Sequence, residues 1–82
     1  MNQTFCKRYF LIDRKRIADL RFLLESYDGI AFVRSLDGKK GLVEIAYPPS
    51  RSVDAEALVA SLVIELAMEE VEAPAAGDYP GI

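Results

Sequence analysis

Nothing in this chain can staple a fold from outside its core: among 82 residues there is one cysteine, Cys6, and no histidine. A single thiol forms no internal disulfide, and without histidine no zinc site of the usual kind can be assembled. A chain this short buries only about 60–65% of the surface that its unfolded form exposes. The fold must therefore rest on one well-packed apolar core, and burying further surface in an oligomer would add to a thin margin. The composition, 51% hydrophobic and 28% charged, is that of an ordinary globule. No run approaches the roughly 20 apolar residues that span a bilayer. Met1-Asn2-Gln3-Thr4 lacks the basic-then-apolar order of a signal peptide, so none is expected. A lone thiol fits a reducing, cytoplasmic setting.

Hydrophobic periodicity orders the rest. Residues 5–12 are rich in aromatic and branched side chains, with Phe10 and Ile12 on one face and Tyr9 and Leu11 on the other. Both faces are apolar, which predicts a central strand. Asp13 offers an oxygen to the free amides of a new helix. Ile17, Leu20, Leu24 and Tyr27 follow at spacings of 3, 4 and 3, with Leu23 widening the stripe. Gly29 suits a left-handed helix end. A second strand is predicted over residues 30–36, with Ile30 and Phe32 on the core face. Residues 37–41 read as a hairpin loop whose two glycines reach positive φ. A third strand over 42–47 turns Val43, Ile45 and Tyr47 inward, and Pro48-Pro49 ends it.

Ser50 or Ser52 is the expected cap of a second helix. From Ala55 to Met68 only Glu56, Ser61 and Glu65 are polar, so this helix is apolar nearly all round and is expected to be covered on more than one side. Residues 69–72 are predicted to form a short, charged edge strand. The order β-α-β-β-α-β predicts a ferredoxin-like α+β sandwich, an antiparallel four-stranded sheet with both helices on one face. One domain over residues 1–72 is expected, followed by a flexible tail over 73–82 that holds two prolines and two glycines. The outer sheet face, with no helix left to cover it, would carry Tyr9, Leu11, Val33, Leu42 and Ala46, with Glu44 and Ser35 among them.

Charge is segregated along the chain. Residues 1–51 hold all ten Lys and Arg against six acids, a net of +4, whereas residues 52–82 hold seven acids and no base, a net of −7. Such a division bears on encounter and partner choice rather than on fold. It admits association of a basic edge with an acidic one. Arg14, Lys15 and Arg16 at the head of the first helix oppose its dipole, a small local cost that fits either a solvated basic face or an anion held there.

Catalytic chemistry finds little footing. Without histidine the usual general base at neutral pH is missing, and Cys6 has no partner that would make it a nucleophile. No P-loop, dinucleotide fingerprint or metal-ligand spacing is present, so no cofactor and no metal are expected. Lys40-Gly41-Leu42-Val43-Glu44-Ile45-Ala46-Tyr47 mimics the start of an RNA-recognition strand, but its stacking positions hold Leu42 and Glu44. Leucine stacks poorly and Glu44 repels phosphate, which argues against nucleic acid on the sheet.

The pattern Asp13-Arg14, Leu20-Arg21-Phe22, Glu25 and Tyr27-Asp28-Gly29 resembles that of a family of short bacterial proteins of unknown function, over roughly residues 7–72. More widely, the element order and the Asp13-Arg14 opening turn are similar to ACT-type regulatory domains, which often bind amino acids between subunits. Those domains usually continue with a proline and a glycine, where this chain has Lys15 and Arg16. The ACT likeness implies a ligand site for an amino acid or anion at Asp13, Arg14, Lys15, Arg16, Asp28 and Gly29. The residues themselves favour a non-enzymatic interaction or regulatory module, homodimeric through Tyr9, Leu11, Val33, Leu42 and Ala46.

Overall fold

In the computed structural model, residues 4–27 and 29–75 are described. The order is β1 (Cys6–Leu11), a 3₁₀ turn (Arg14–Arg16), α1 (Ile17–Glu25), β2 (Phe32–Asp37), β3 (Leu42–Tyr47), a second 3₁₀ turn (Pro49–Arg51), α2 (Ser52–Glu65) and β4 (Glu69–Val71). The strands form one antiparallel sheet in the order β2-β3-β1-β4. This is the strand order of a ferredoxin-like α+β fold, with β1 central, as its two-sided apolar character predicts, and β3 beside it.

Phe10 pairs with Val43, and Arg8 with Ile45, so these residues share one face. That face packs into a single core in which Phe10, Val43 and Ile45 meet Leu20 and Leu24 of α1 and Ala55, Val59 and Leu62 of α2. Both helices therefore cover the same side. Tyr47 fixes α2 to β3: its buried hydroxyl donates to Glu56 Oε2 at 2.9 Å. Burial first, then the hydrogen bond and the negative charge of Glu56, raises the phenol above its ordinary pKa. At the rim of the same face, Arg8 grips Glu70 of β4 through two hydrogen bonds of 2.9 and 2.7 Å and lies over the Phe10 ring.

The second strand differs from its expected phase. Val33 pairs with Ile45 and Ser35 with Val43, which turns both toward the helices, while Phe32 pairs with Ala46 and turns away. Phe32 is 51% exposed and Val33 packs against the core. The expected placement of Phe32 inside, and of Val33 and Ser35 outside, is thus reversed. Four consecutive apolar residues, Ile30-Ala31-Phe32-Val33, leave the phase undetermined by hydrophobicity, and a one-residue slip exchanges the faces. The pairing also breaks between Ser35 and Asp37, where one extra residue enters β2.

Element ends show smaller departures. Asp13 Oδ1 accepts the Lys15 amide at 3.0 Å, but it caps the 3₁₀ turn rather than α1 itself. Tyr27 lies beyond α1 and is exposed. Neither Ser50 nor Ser52 caps α2, which grows without a side-chain cap out of the turn begun by Pro49. In the hairpin only Gly41 has positive φ, +74°; Gly38 does not. No glycine divides α2 from β4, and Ala67 takes the left-handed conformation at φ 53° instead. Met68 N–H reaches the Val63 carbonyl at 3.0 Å and Ala67 N–H the Ile64 carbonyl at 3.4 Å, the paired bonds of a Schellman helix end. Of the expected tail, residues 73–75 carry no regular structure, and residues 76–82 lie outside the described part. Among the described residues no helix is long and apolar enough to cross a membrane.

Candidate functional site

Three strands alternate well enough to give the sheet a second, helix-free face. Pairing places Lys7, Tyr9 and Leu11 of β1 on it, opposite Ala46, Glu44 and Leu42 of β3. Phe32 and Arg34 join from β2, and Val71 and Glu69 from β4. Tyr9, Leu11, Leu42, Ala46 and Val71 are each half-buried. Phe5 and Phe32 stack with ring centroids 6.0 Å apart, reaching across the small Ala46 that pairs with Phe32. Of the five residues expected on this surface, four are there. Val33 is not, and Phe32 and Phe5 take its place.

One acid interrupts the layer. Glu44 is only 7% exposed although no helix lies above it. Tyr9 donates its hydroxyl to Glu44 Oε2 at 3.1 Å, and the Arg34 guanidinium stands 3.5 Å from the same oxygen. The carboxylate is thus hydrogen-bonded and charge-paired within its own sheet. Covering this face would strip water from a charge that already has its partners, the condition under which a buried ion pair is tolerable.

The residues expected to hold a ligand are not gathered at one place. The turn from Asp13 to Arg16 precedes α1 and Gly29 follows it, so the length of a nine-residue helix, roughly 13 Å, separates them. Arg14 faces the loop of Asp37, Gly38, Lys39 and Lys40 across an open cavity. Lys15 is exposed. Arg16 donates to the Glu65 carbonyl at 3.2 Å, placing a cation on the negative end of α2. Gly29, at φ +83°, lines a separate cavity of about 290 Å³ with Arg21, Glu25 and Phe32. Asp28 lies outside the described residues.

A further apolar stripe runs along α2, where Val53, Ala57, Ala60 and Ile64 recur at spacings of 4, 3 and 4 and all are exposed, Ile64 by 84%. The nearly all-round apolar character of this helix is therefore met on one side by the core and on the other by solvent.

Residues 10–65 of this molecule match the family described as Domain of unknown function (DUF4911). The chain belongs to that family. The match runs from Phe10, at the end of β1, to the end of α2, and so takes in β2, β3 and both helices. Comparison with the curated proteins and with the solved structures gives no match.

Proposed function

We propose that this DUF4911 domain is a non-enzymatic interaction module whose working surface is the helix-free face of the sheet, and that a second copy of the chain covers it. The observation that carries this reading is a helix-free face with Phe5, Phe32 and Ala46 toward one end and Leu42 and Leu11 toward the other, divided by a row whose single buried acid, Glu44, is already paired with Tyr9 and Arg34. Monomers rarely leave such a face open.

Charge favours a second copy as the occupant. The face carries Arg34 on one edge strand and Glu69 on the other. A two-fold axis parallel to the strands lays β2 of one copy over β4 of its partner, which brings the two edges of opposite sign together. Three strands of six residues and one of three, about 4.8 Å apart, make a plane of roughly 330 Å². Counted on both copies this is below the usual size of a specific interface, so a weak dimer, with a dissociation constant no tighter than micromolar, is expected.

The test is the mass of Leu42→Glu and of Phe32→Glu in solution at a few hundred micromolar, with far-UV circular dichroism as a check of folding. Both variants are expected to remain folded and to lose the dimer. Phe32 is the more exposed of the two, which guards against a variant that simply unfolds. If both remain dimeric, another surface, such as the exposed stripe of α2, does the pairing and this reading fails.

A further inference from the structure

We propose that the end of the sheet where the Arg14–Arg16 turn meets the β2–β3 loop binds a small, multiply charged phosphate anion of the diphosphate or triphosphate class. Arg14, Lys39 and Lys40 line one open cavity of about 520 Å³ there, with Lys15 on the adjoining turn. Backbone contacts hold the two segments together. The Ile12 amide donates to the Gly41 carbonyl at 2.9 Å, and a Cβ at Gly41 would fall 1.9 Å from the Ile12 carbonyl oxygen. The loop can press this closely on the turn only because residue 41 is glycine.

Both nearby carboxylates face the backbone. Asp13 Oδ1 accepts from the Lys15 amide at 3.0 Å, and Asp37 Oδ1 accepts from the amides of Lys39 and Lys40 at 3.1 and 3.3 Å. Among the described residues none of Arg14, Lys15, Lys39 or Lys40 makes an ion pair. Arg14, Lys39 and Lys40 thus line one cavity, with Lys15 on the adjoining turn, beside two acids that are hydrogen-bonded to the backbone, a local surplus of positive charge that a polyanion relieves. An arginine fork beside lysine point charges suits phosphate oxygens. Three cations on one cavity, with a fourth on the adjoining turn, suit a ligand that carries more than one negative charge. A nucleic acid strand is disfavoured, since its path from this end across the open face meets Leu42 and Glu44 instead of stacking rings. The site is independent of the pairing proposed above, because its cations lie outside the apolar layer.

The experiment is a titration of the full chain with tripolyphosphate, followed by calorimetry and by amide shifts in NMR, against sodium chloride at equal ionic strength. Saturable binding is expected, with the shifts centred on residues 13–15 and 37–41. The double variant Lys39→Gln/Lys40→Gln should weaken it by about tenfold, and Arg51→Gln, at a cation elsewhere, should leave it unchanged. Both variants alter exposed side chains, and their melting temperatures report whether the fold survives. A response that sodium chloride reproduces, or an affinity that the double variant leaves unchanged, overturns the proposal. So does a single-stranded RNA oligonucleotide that binds the same residues more tightly than tripolyphosphate.

Discussion

The two faces of this sheet are made by the same strands and hold their residues by different means. On the closed face Phe10, Val43 and Ile45 have no exposed surface, because two helices lie over them. On the open face Leu42 and Ala46 reach only half-burial, shielded by neighbours within the sheet. Glu44 shows the difference most clearly, since it is withdrawn from water with no helix above it and is paired with Tyr9 and Arg34 within the sheet. Burial on the closed face is a property of the tertiary fold. On the open face it is local and partial, made by neighbours within the sheet.

The largest expected effect divides the faces directly. Phe10→Ala should destabilise the monomer by about 3–5 kcal/mol, enough to threaten folding, whereas Phe32→Ala should cost under about 1 kcal/mol, as a half-exposed ring loses little burial. Urea denaturation of the two variants at low protein concentration measures both. Equal losses would mean that the open face carries as much of the monomer's stability as the closed one.

Tyr47→Phe probes the seam between closed face and helix. Removing a buried hydroxyl donor should cost about 0.5–1.5 kcal/mol. The phenol's pKa is raised in the folded state, so its contribution is complete below the ordinary value of 10.0 and is lost as pH rises through the folded value. Melting temperature followed from pH 8 to 12 should fall less steeply at the alkaline end in the variant. An unchanged alkaline slope would remove Tyr47 from the account of that seam.

A gain is expected at the hinge between α2 and the sheet. Ala67→Gly relieves a left-handed alanine and should stabilise by about 0.5–1 kcal/mol, visible as a higher urea midpoint. The smallest effect belongs to the rim. The Arg8 guanidinium holds the Glu70 carboxyl below its usual range. This contribution is present above the ordinary pKa of 4.5 and fades as pH falls through the folded value. The pair is partly exposed, so Glu70→Gln should cost at most about 1 kcal/mol, and it should flatten the loss of stability on the acid side.

Alternation and helical periodicity make most of the architecture readable in the sequence. Val43, Ile45 and Tyr47 declared the closed face of β3, and Asp13 and Gly29 marked the turn before α1 and the end after it. The phase of β2 was hidden, because Ile30-Ala31-Phe32-Val33 is apolar at every step and the irregularity near Ser35 has no residue signature. The open face was legible where strands alternate, at Tyr9, Leu11, Leu42 and Ala46, and wrong at Val33 for the same reason of phase. Counting back by twos from Leu11 and Tyr9 through Lys7 places Phe5 on that face, so its partnership with Phe32 was half visible. The convergence of Arg14 with Lys39 and Lys40 was not. It depends on the close contact of Gly41 with Ile12, which pairing register fixes and local pattern does not.

The claim on which the rest depends is that the open face is covered in solution. Sedimentation equilibrium of the unaltered chain at several hundred micromolar tests it most directly. A mass of twice the 9.1 kDa chain, falling toward one chain on dilution into the low micromolar range, is the expected result. A single-chain mass throughout would contradict it.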